Sequence, residues 1–371
     1  MKMDIVSRNL FRLLRAGAFG QTEDVEPMSA WKWHVLYERA MMHRVGALVR
    51  DGMEACRRQF YMQMPAEQWA QWDGVAHDTE QAYLKASLRL TELVGTFTHE
   101  QWRPIVMGGQ SLARFYPRPD HRFTNRLDLY FPFETQAKRA DRWAYANGTC
   151  LDDSVKGTLT YLWQDVRVAH HRSVERLTNP LLHRHLTRMV ERELREQPPQ
   201  LFSVNGQKME TLTPTLAILQ CLLHIARDIL NDGLSVSQLV DLGIYLRGNG
   251  QNVDFVKLQD WIALLSVQRL AQVTARLMML LLDFTLDELP FVNDDPVVDT
   301  SRLEAELFTR PGDSDTEWFF TQGKGIFVHS SNNGAMLWRL NHSARYFKYY
   351  PKESVTNLMA AFAHSLSHVE E

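Results

Sequence analysis

The sequence predicts an α+β protein in which a small mixed sheet is flanked by helices. Three observations support this fold class. Apolar residues recur at spacings of three and four through most of the first hundred residues and again through residues 213–285. Short runs rich in β-branched and aromatic residues lie between these two helical regions. Asn205-Gly206 lies between the short runs Leu201–Val204 and Lys208–Thr211, which is the strongest hairpin signal in the chain.

These patterns divide the chain into four regions. A single hydrophobic core rarely grows beyond about 250–300 residues, and this chain has 371. We expect an N-terminal helical layer, a mixed core, a C-terminal helical bundle and an irregular C-terminal extension, at residues 1–97, 98–212, 213–285 and 286–371.

The N-terminal layer contains three predicted helices. Apolar spacing indicates the first helix over residues 4–17. Ser29 is a typical N-cap for a second, long helix that ends at Gly52. The third helix covers residues 65–100 and leads directly into the core.

The mixed core begins with the apolar run Pro104–Met107, which predicts a strand before the turn Gly108-Gly109. Ser111–Tyr116 is typical of a short helix. Leu127–Phe131 predicts a second strand, which carries one carboxylate, that of Asp128. The same criteria predict a helix at 135–147, strands at 157–163 and 165–170, a helix at 180–195 and hairpin strands at 201–204 and 208–211.

The C-terminal half is predicted to be mainly helical. Helical periodicity indicates bundle helices at 215–231, 235–247, 254–265 and 267–282, and a final helix at 352–369. The run Arg345–Pro351 interleaves basic and aromatic residues. Such a run can stack bases and contact phosphates, but we favour a strand or a docking segment.

Composition argues against several classes of protein. The net charge is −3, so no overall field attracts nucleic acid or an anionic membrane. Three widely spaced cysteines indicate a reducing compartment rather than a disulfide framework or a zinc site. No window reaches the roughly 18 apolar residues of a membrane span, and the charged N-terminus is untypical of a signal peptide. We expect a cytoplasmic protein without a membrane partner, and nucleic acid is not indicated.

One stretch of the core has the character of a functional site. In residues 103–132, a glycine turn at Gly108-Gly109-Gln110-Ser111 is followed by the end of a short helix at Tyr116-Pro117. Arg122 comes next, and then the strand that contains Arg126-Leu127-Asp128-Leu129. In order and spacing these motifs resemble the nucleotidyltransferase superfamily, and more narrowly the bacterial family of uncharacterised nucleotidyltransferases. The resemblance extends from about residue 30 to 285.

The resemblance implies a core in which carboxylates at strand positions i and i+2 share Mg²⁺ ions with an NTP. Such ions bridge the triphosphate and neutralise charge that develops during transfer. The implied metal ligand and catalytic residue of this chain is Asp128. The glycine turn would let the backbone approach the phosphates. The implied ligand contacts are Gly108, Gly109, Ser111, Arg122 and Arg126.

The sequence departs from this pattern at two of the three expected carboxylates. Position 126, where the first Asp is expected, is Arg, which is always charged and is better suited to pairing with Asp128 than to binding a cation. The third carboxylate is expected in the strand that ends at His171, where this chain has Val168 or Ala169, depending on register. We therefore expect normal two-metal catalysis to be lost.

Other polar residues are interpreted as structural. Asp120 and Asp165 lack the spacing to replace a missing carboxylate. Asp241 is expected to be a domain contact or a buried acceptor, and His224 a satisfied core histidine. The remaining histidines in this region are expected to be solvated or capping residues rather than metal ligands, and they are His170, His171, His183 and His185.

Three functions remain open. The favoured one is a catalytically degenerate relative that binds a nucleotide or a small phosphate ligand, with Arg126 as a phosphate contact. The second is an active Mg²⁺-dependent enzyme that moves a nucleoside monophosphate from an NTP to an acceptor. The third is a non-catalytic protein-interaction module. The missing carboxylates favour the first, so the expected ligands are an NTP with Mg²⁺, or a phosphate compound with no metal.

Overall fold

The structure is a computed structural model that describes residues 3–62, 64–155, 157–231, 233–292, 298–308, 346–357 and 359. It confirms the α+β class. The helices, numbered in chain order, are α1 Ile5–Phe19, α2 Ala30–Met42, α3 Gly46–Ala55, α4 Ala66–His99, α5 Gly109–Ala113, α6 Glu134–Asn147, α7 Pro180–Glu196, α8 Pro214–Asn231, α9 Val236–Asn249, α10 Phe255–Leu264, α11 Gln268–Leu282 and α12 Ser301–Phe308.

A mixed seven-stranded sheet forms the centre of the chain. Its strands are β1 Ile105–Met107, β2 Leu127–Tyr130, β3 Thr149–Asp152, β4 Thr158–Trp163, β5 Val166–His171, β6 Gln200–Val204 and β7 Gln207–Thr211. The spatial order is β3-β4-β5-β2-β1-β7-β6. β2 runs parallel to β5, and β1 runs parallel to β7, whereas the other neighbouring pairs are antiparallel. The short strands β1 and β2 therefore occupy the middle of the sheet.

The two faces of the sheet belong to different hydrophobic clusters. Side chains such as Val106 and Leu129 pack with α4 and α6 on one face. Met107 and Tyr130 point to the opposite face and join a larger cluster that includes the helices from α8 to α11. Asp128 alternates with Leu129 along β2, so its side chain lies on this second face, toward the helical region.

Most predicted elements are confirmed, and local chemistry explains their ends. The hairpin of β6 and β7 turns at Asn205 and Gly206, which both have positive φ, as such a two-residue turn requires. The Ser29 side chain accepts a hydrogen bond from the Lys32 amide, which confirms it as the N-cap of α2. The single long helix predicted after Ser29 is wrong: Arg44 adopts φ +58°, and the chain restarts as α3, which continues past Gly52.

The N-terminal helices divide between the two clusters. α4 contributes Leu90, Leu93 and Phe97 to the cluster beneath the sheet. α1 and α3 pack against each other and join the cluster that contains α8 to α11. The predicted boundaries at residues 97, 212 and 285 remain predictions.

The C-terminal extension returns to the helical region. α12 was not predicted, and of the final helix predicted at 352–369 the structure shows a helical segment at 351–357, whereas residues 360–369 lie outside the described residues. Tyr346, Tyr349 and Tyr350 are buried in the larger cluster, so residues 346–350 dock against it as a turn and do not form a strand, while Arg345 is outside the described residues. No helix in the described part of the chain has the length and apolar character of a membrane span.

Candidate functional site

The glycine turn and Asp128 lie on neighbouring central strands. Met107, the last residue of β1, is paired with Asp128 of β2, and Gly108 follows directly. Gly108 has φ +54° and ψ −141°, a conformation that essentially only glycine adopts, and Gly109 has φ +46°. The predicted proximity of the turn to Asp128 is therefore present in the sheet register.

The helix after the turn is shorter than the sequence predicts. α5 ends at Ala113 after five residues, rather than continuing to Tyr116. One turn of helix has little macrodipole, so the N-terminus of α5 contributes little to binding an anion. The Ser111 hydroxyl donates to the Gly108 carbonyl at 2.7 Å, so its proton stabilises the turn while its oxygen can still accept.

The side chains of Arg126 and His171 both contact the same oxygen of Asp128. Its Oδ1 accepts from Arg126 Nε at 2.9 Å, from Arg126 Nη2 at 2.8 Å and from His171 Nε2 at 2.7 Å. Oδ2 has no hydrogen-bond partner among the described residues. Burial opposes ionisation, but the His171 hydrogen bond and the Arg126 charge outweigh it and lower the pKa of Asp128. The predicted pairing of Arg126 with Asp128 is confirmed.

The position of the third expected carboxylate is apolar. β5 runs parallel to β2 with Ala169 opposite Asp128 and Val168 opposite Leu127, so the register selects Ala169 as the neighbour on the same face. Asp165 lies beyond the far end of β5, where it is exposed and paired with Arg89 at 2.8 Å. The donor set around Asp128 therefore does not fit a two-metal centre, because a guanidinium and a methyl group stand where carboxylates are needed.

Arg122 is committed to a contact with the helical region. Its Nε and Nη2 donate to the two oxygens of Asp241 in α9 at 2.7 and 2.8 Å. Nη1 donates to Phe123 O at 3.2 Å, and Tyr116 donates to Asp241 Oδ1 at 2.5 Å. Burial opposes the charge, but the Asp241 carboxylate outweighs it and raises the pKa of Arg122. In this arrangement the Arg122 donors are occupied by protein, and Asp241 of α9 is a largely buried acceptor, as one of the two expectations had it.

Two adjacent histidines have roles that the sequence analysis missed. His171 contacts Asp128, as described above. His170 points to the opposite face, where it is 2% exposed and lies within 2.9 Å of Tyr161 Oη and 3.1 Å of Asp141 Oδ1. The expectation of solvated or capping residues is therefore wrong for both. The signal was available for His171, because it lies two residues after Ala169 and strand side chains alternate.

The other predicted structural residues have defined contacts. His224 is half-buried rather than in the core, and its Nδ1 lies 3.3 Å from Glu175 Oε2. His183 Nδ1 accepts from the Leu177 amide at 3.5 Å, whereas the cap of α7 is Asn179. Burial opposes the Glu175 charge, but Arg227 and His224 lower the pKa of this carboxyl to about 2.

A group of acidic residues and a histidine lies where α4 meets the loop before β2. Glu80, Asp120 and His121 have ligand atoms close enough to share a cation. However, His121 Nδ1 is 2.6 Å from Asp51, its Nε2 is 3.0 Å from Glu80, and Arg118 binds Glu80 at 2.7 Å. Burial lowers the pKa of His121, but the two carboxylates outweigh it and raise the value. The groups that could bind a cation here therefore already have protein partners, since His121 contacts Asp51 and Glu80, and Arg118 contacts Glu80 and Asp120.

Comparison with known proteins supports one family. A family model described as uncharacterised nucleotidyltransferase matches residues 29–283, which include the glycine turn, the β2 strand and Asp241. No curated protein matches the chain significantly. The matched range covers more than half of the chain. The protein therefore belongs to the family of uncharacterised nucleotidyltransferases, with a nucleotidyltransferase-like core.

Proposed function

We propose that the protein binds a nucleotide or another phosphate-bearing ligand between its sheet and its helical region, and that it has lost normal two-metal transfer. The observation that supports this proposal best is the Arg126–Asp128 pair, with Ala169 opposite Asp128. In the superfamily, carboxylates bind the metal ions that hold the NTP. Here a fixed positive charge occupies the position of the first carboxylate, so part of the role of a cation can be supplied by the chain itself.

Arg126 is suited to this role by its exposure and by its free donors. Its side chain is 37% exposed, compared with 13% for Arg122, so a ligand can reach it. Nε and Nη2 bind Asp128, whereas Nη1 has no partner among the described residues. A guanidinium presents several N–H groups in a plane that matches phosphate oxygens. Gly108 and Gly109 would bring backbone close to the same ligand.

A retained transferase remains the second candidate, because one observation favours it. Asp128 is ionised and its Oδ2 has no partner in the described part of the chain, so one carboxylate oxygen is available to a ligand. If activity survives, Asp128 is the residue on which it depends. A role without any small ligand is the third candidate and predicts no response to nucleotides.

A thermal-shift screen separates these candidates. The purified chain is heated with ATP, GTP, CTP or UTP, in EDTA and in Mg²⁺, because a ligand of the folded state raises the melting temperature. We expect at least one nucleotide to stabilise the protein in EDTA. Asp128→Asn is expected to increase this stabilisation, because it removes the negative charge that competes for Arg126. Asp165→Asn, which removes the acid from the exposed Arg89 pair outside the site, is the matched control and is expected to change nothing.

Asp128→Asn also tests whether transferase activity survives. Magnesium-dependent release of pyrophosphate from an NTP that is abolished by Asp128→Asn would establish the transferase and overturn the degenerate assignment. Absence of any shift with all four nucleotides, in both conditions, would favour the protein-interaction module.

A further inference from the structure

The sheet has an open area on the side of Asp128 that faces away from the glycine turn. β1 and β5 flank β2 on opposite sides, and the turn follows β1. Along β4 and β5, side chains that pack with α4 and α6 alternate with side chains on the face of Asp128, which are Thr160, Leu162 and Arg167. Thr160 is half-buried, Leu162 is 37% exposed and Arg167 is exposed, so a ligand can reach this part of the sheet.

Arg126 and Arg167 are neighbours on this open face. In the parallel pairing of β2 with β5, Leu127 is opposite Val168, so the residues that precede them, Arg126 and Arg167, lie side by side. Neighbouring strands are about 4.8 Å apart, so the two side chains can approach the same ligand. Like charges placed beside each other destabilise a sheet. The pair is therefore not explained by the stability of the sheet.

The acids on the surrounding strands do not compensate the charge of Arg167. Arg167 makes no ion pair or side-chain hydrogen bond within the described part of the chain. Asp165, two residues earlier, is paired with Arg89 at 2.8 Å. Asp152 of β3 accepts from the amide and the hydroxyl of Ser154 at 2.9 and 2.7 Å. The Arg167 guanidinium therefore keeps its donors for a partner from outside the protein.

The groups around Arg167 suit a phosphate that is attached to a less polar group. Asp128 is the acid beside Arg126, and it leaves the two arginines with a net positive charge. A guanidinium matches phosphate oxygens in geometry as well as in charge. Thr160 offers a hydroxyl donor on the neighbouring strand, and Leu162, opposite Arg167, offers an apolar contact for a sugar or a base.

We infer that Arg167 binds a second phosphate group of the ligand, separate from the one that Arg126 contacts. A polyphosphate chain that runs from Arg126 to the glycine turn extends away from Arg167, because the turn and β5 lie on opposite sides of β2. The second phosphate therefore belongs to another part of the ligand, as in a nucleoside bisphosphate or a dinucleotide. This inference rests on the proposed function and names the class of nucleotide that the open face selects.

The test compares nucleotides with one phosphate and with two separated phosphates. AMP, adenosine 3′,5′-bisphosphate and the dinucleotide pApA are titrated calorimetrically into the full chain in EDTA. We expect wild type to bind the bisphosphate at least tenfold more tightly than AMP. Arg167→Gln is expected to abolish this difference and to leave the affinity for AMP within twofold. With that loss established, tighter binding of pApA than of the bisphosphate identifies the end of a nucleic acid strand as the source of the second phosphate, and weaker binding identifies a small bisphosphate.

Arg142→Gln is the matched control for the loss of an exposed arginine. Arg142 lies on α6, which packs against the other face of the sheet, and it makes no ion pair with a described residue. We expect this variant to keep the wild-type affinity for all three ligands, because its charge lies on the far side of the sheet.

The outcomes separate this inference from the proposed function. Equal affinity of wild type for AMP and the bisphosphate would overturn the inference, and so would a bisphosphate affinity that is unchanged in Arg167→Gln. An equal loss for AMP in Arg167→Gln would also overturn it, because it would show a general effect on the site. If Arg126→Gln alone weakens all three ligands, the second phosphate contact is overturned while the proposed function stands. Failure of wild type to bind any of the three would contradict both.

Discussion

Replacing Asp241 with alanine is expected to destabilise the protein strongly, because it leaves the Arg122 guanidinium buried without its partner. The Arg122 and Asp241 side chains are 13% and 16% exposed and share two hydrogen bonds of 2.7 and 2.8 Å. Tyr116 loses its acceptor in the same change. Breaking a buried pair by removing one partner costs about 3–5 kcal/mol. We expect a loss in that range, because the substitution leaves an unpaired charge and an unsatisfied hydroxyl.

Urea unfolding followed by tryptophan fluorescence measures this loss. Asp165→Ala is the matched control: it removes the same residue type from a pair of similar length with Arg89, but Asp165 is 46% exposed. Exposed pairs contribute little, because water and salt screen them, so the control is expected to keep the wild-type urea midpoint. The double variant Arg122→Met with Asp241→Leu removes both charges and is expected to cost less than the sum of its single changes.

Two results would refute this reasoning. A loss below about 1 kcal/mol for Asp241→Ala would mean that Arg122 finds water or another acceptor, contrary to the buried-pair argument. Strict additivity in the double variant would mean that the two side chains do not interact in solution. Either result would mean that the Arg122 guanidinium is available to contact phosphate.

Three further predictions follow from single positions. Gly108→Ala is expected to lower the free energy of unfolding by about 1–3 kcal/mol, because of its φ of +54° and ψ of −141°, whereas Gly74→Ala, in open space on α4, is expected to raise it by about 0.4–1 kcal/mol. Urea midpoints that move in the same direction would contradict this. His43 donates from Nε2 to Leu307 O, and burial lowers its pKa from 6.5 to about 4. The folded state therefore prefers neutral His43, and on the order of 3 kcal/mol of stability present above pH 6.5 is lost as the pH falls towards 4. His43→Gln is expected to flatten melting temperature against pH, and parallel profiles would contradict that role. Arg126→Asp places two carboxylates, at positions 126 and 128, on the same face at the start of β2. It is expected to increase Mn²⁺ affinity at least tenfold in an electron paramagnetic resonance titration. Unchanged affinity would show that these two positions cannot bind one metal ion together.

Much of the fold could be predicted because its signals are local. Helical periodicity, the Ser29 cap and the Asn205-Gly206 turn each depend on a few neighbouring residues. The break at Arg44 was not predicted, because the positive φ falls on a non-glycine residue and the apolar spacing continues across it. β3 was missed because all four of its residues are exposed, so it has no alternating apolar pattern.

The candidate site shows the same division between local and distant contacts. The Arg126–Asp128 pair was predictable, since residues two apart on a strand share a face. The contact of Asp128 with His171 joins residues 43 apart, and that of Arg122 with Asp241 joins residues 119 apart. These contacts depend on the parallel pairing of β2 with β5 and on the docking of α9, neither of which a local pattern specifies.

We propose that Arg126 contacts phosphate at a position where related proteins have a metal-binding carboxylate. Calorimetric titration of the preferred nucleotide in EDTA, with wild type and Arg126→Gln, tests this proposal. We expect binding to wild type without a divalent ion and at least a tenfold loss of affinity in Arg126→Gln. Binding that requires Mg²⁺ and is unchanged in Arg126→Gln would contradict it.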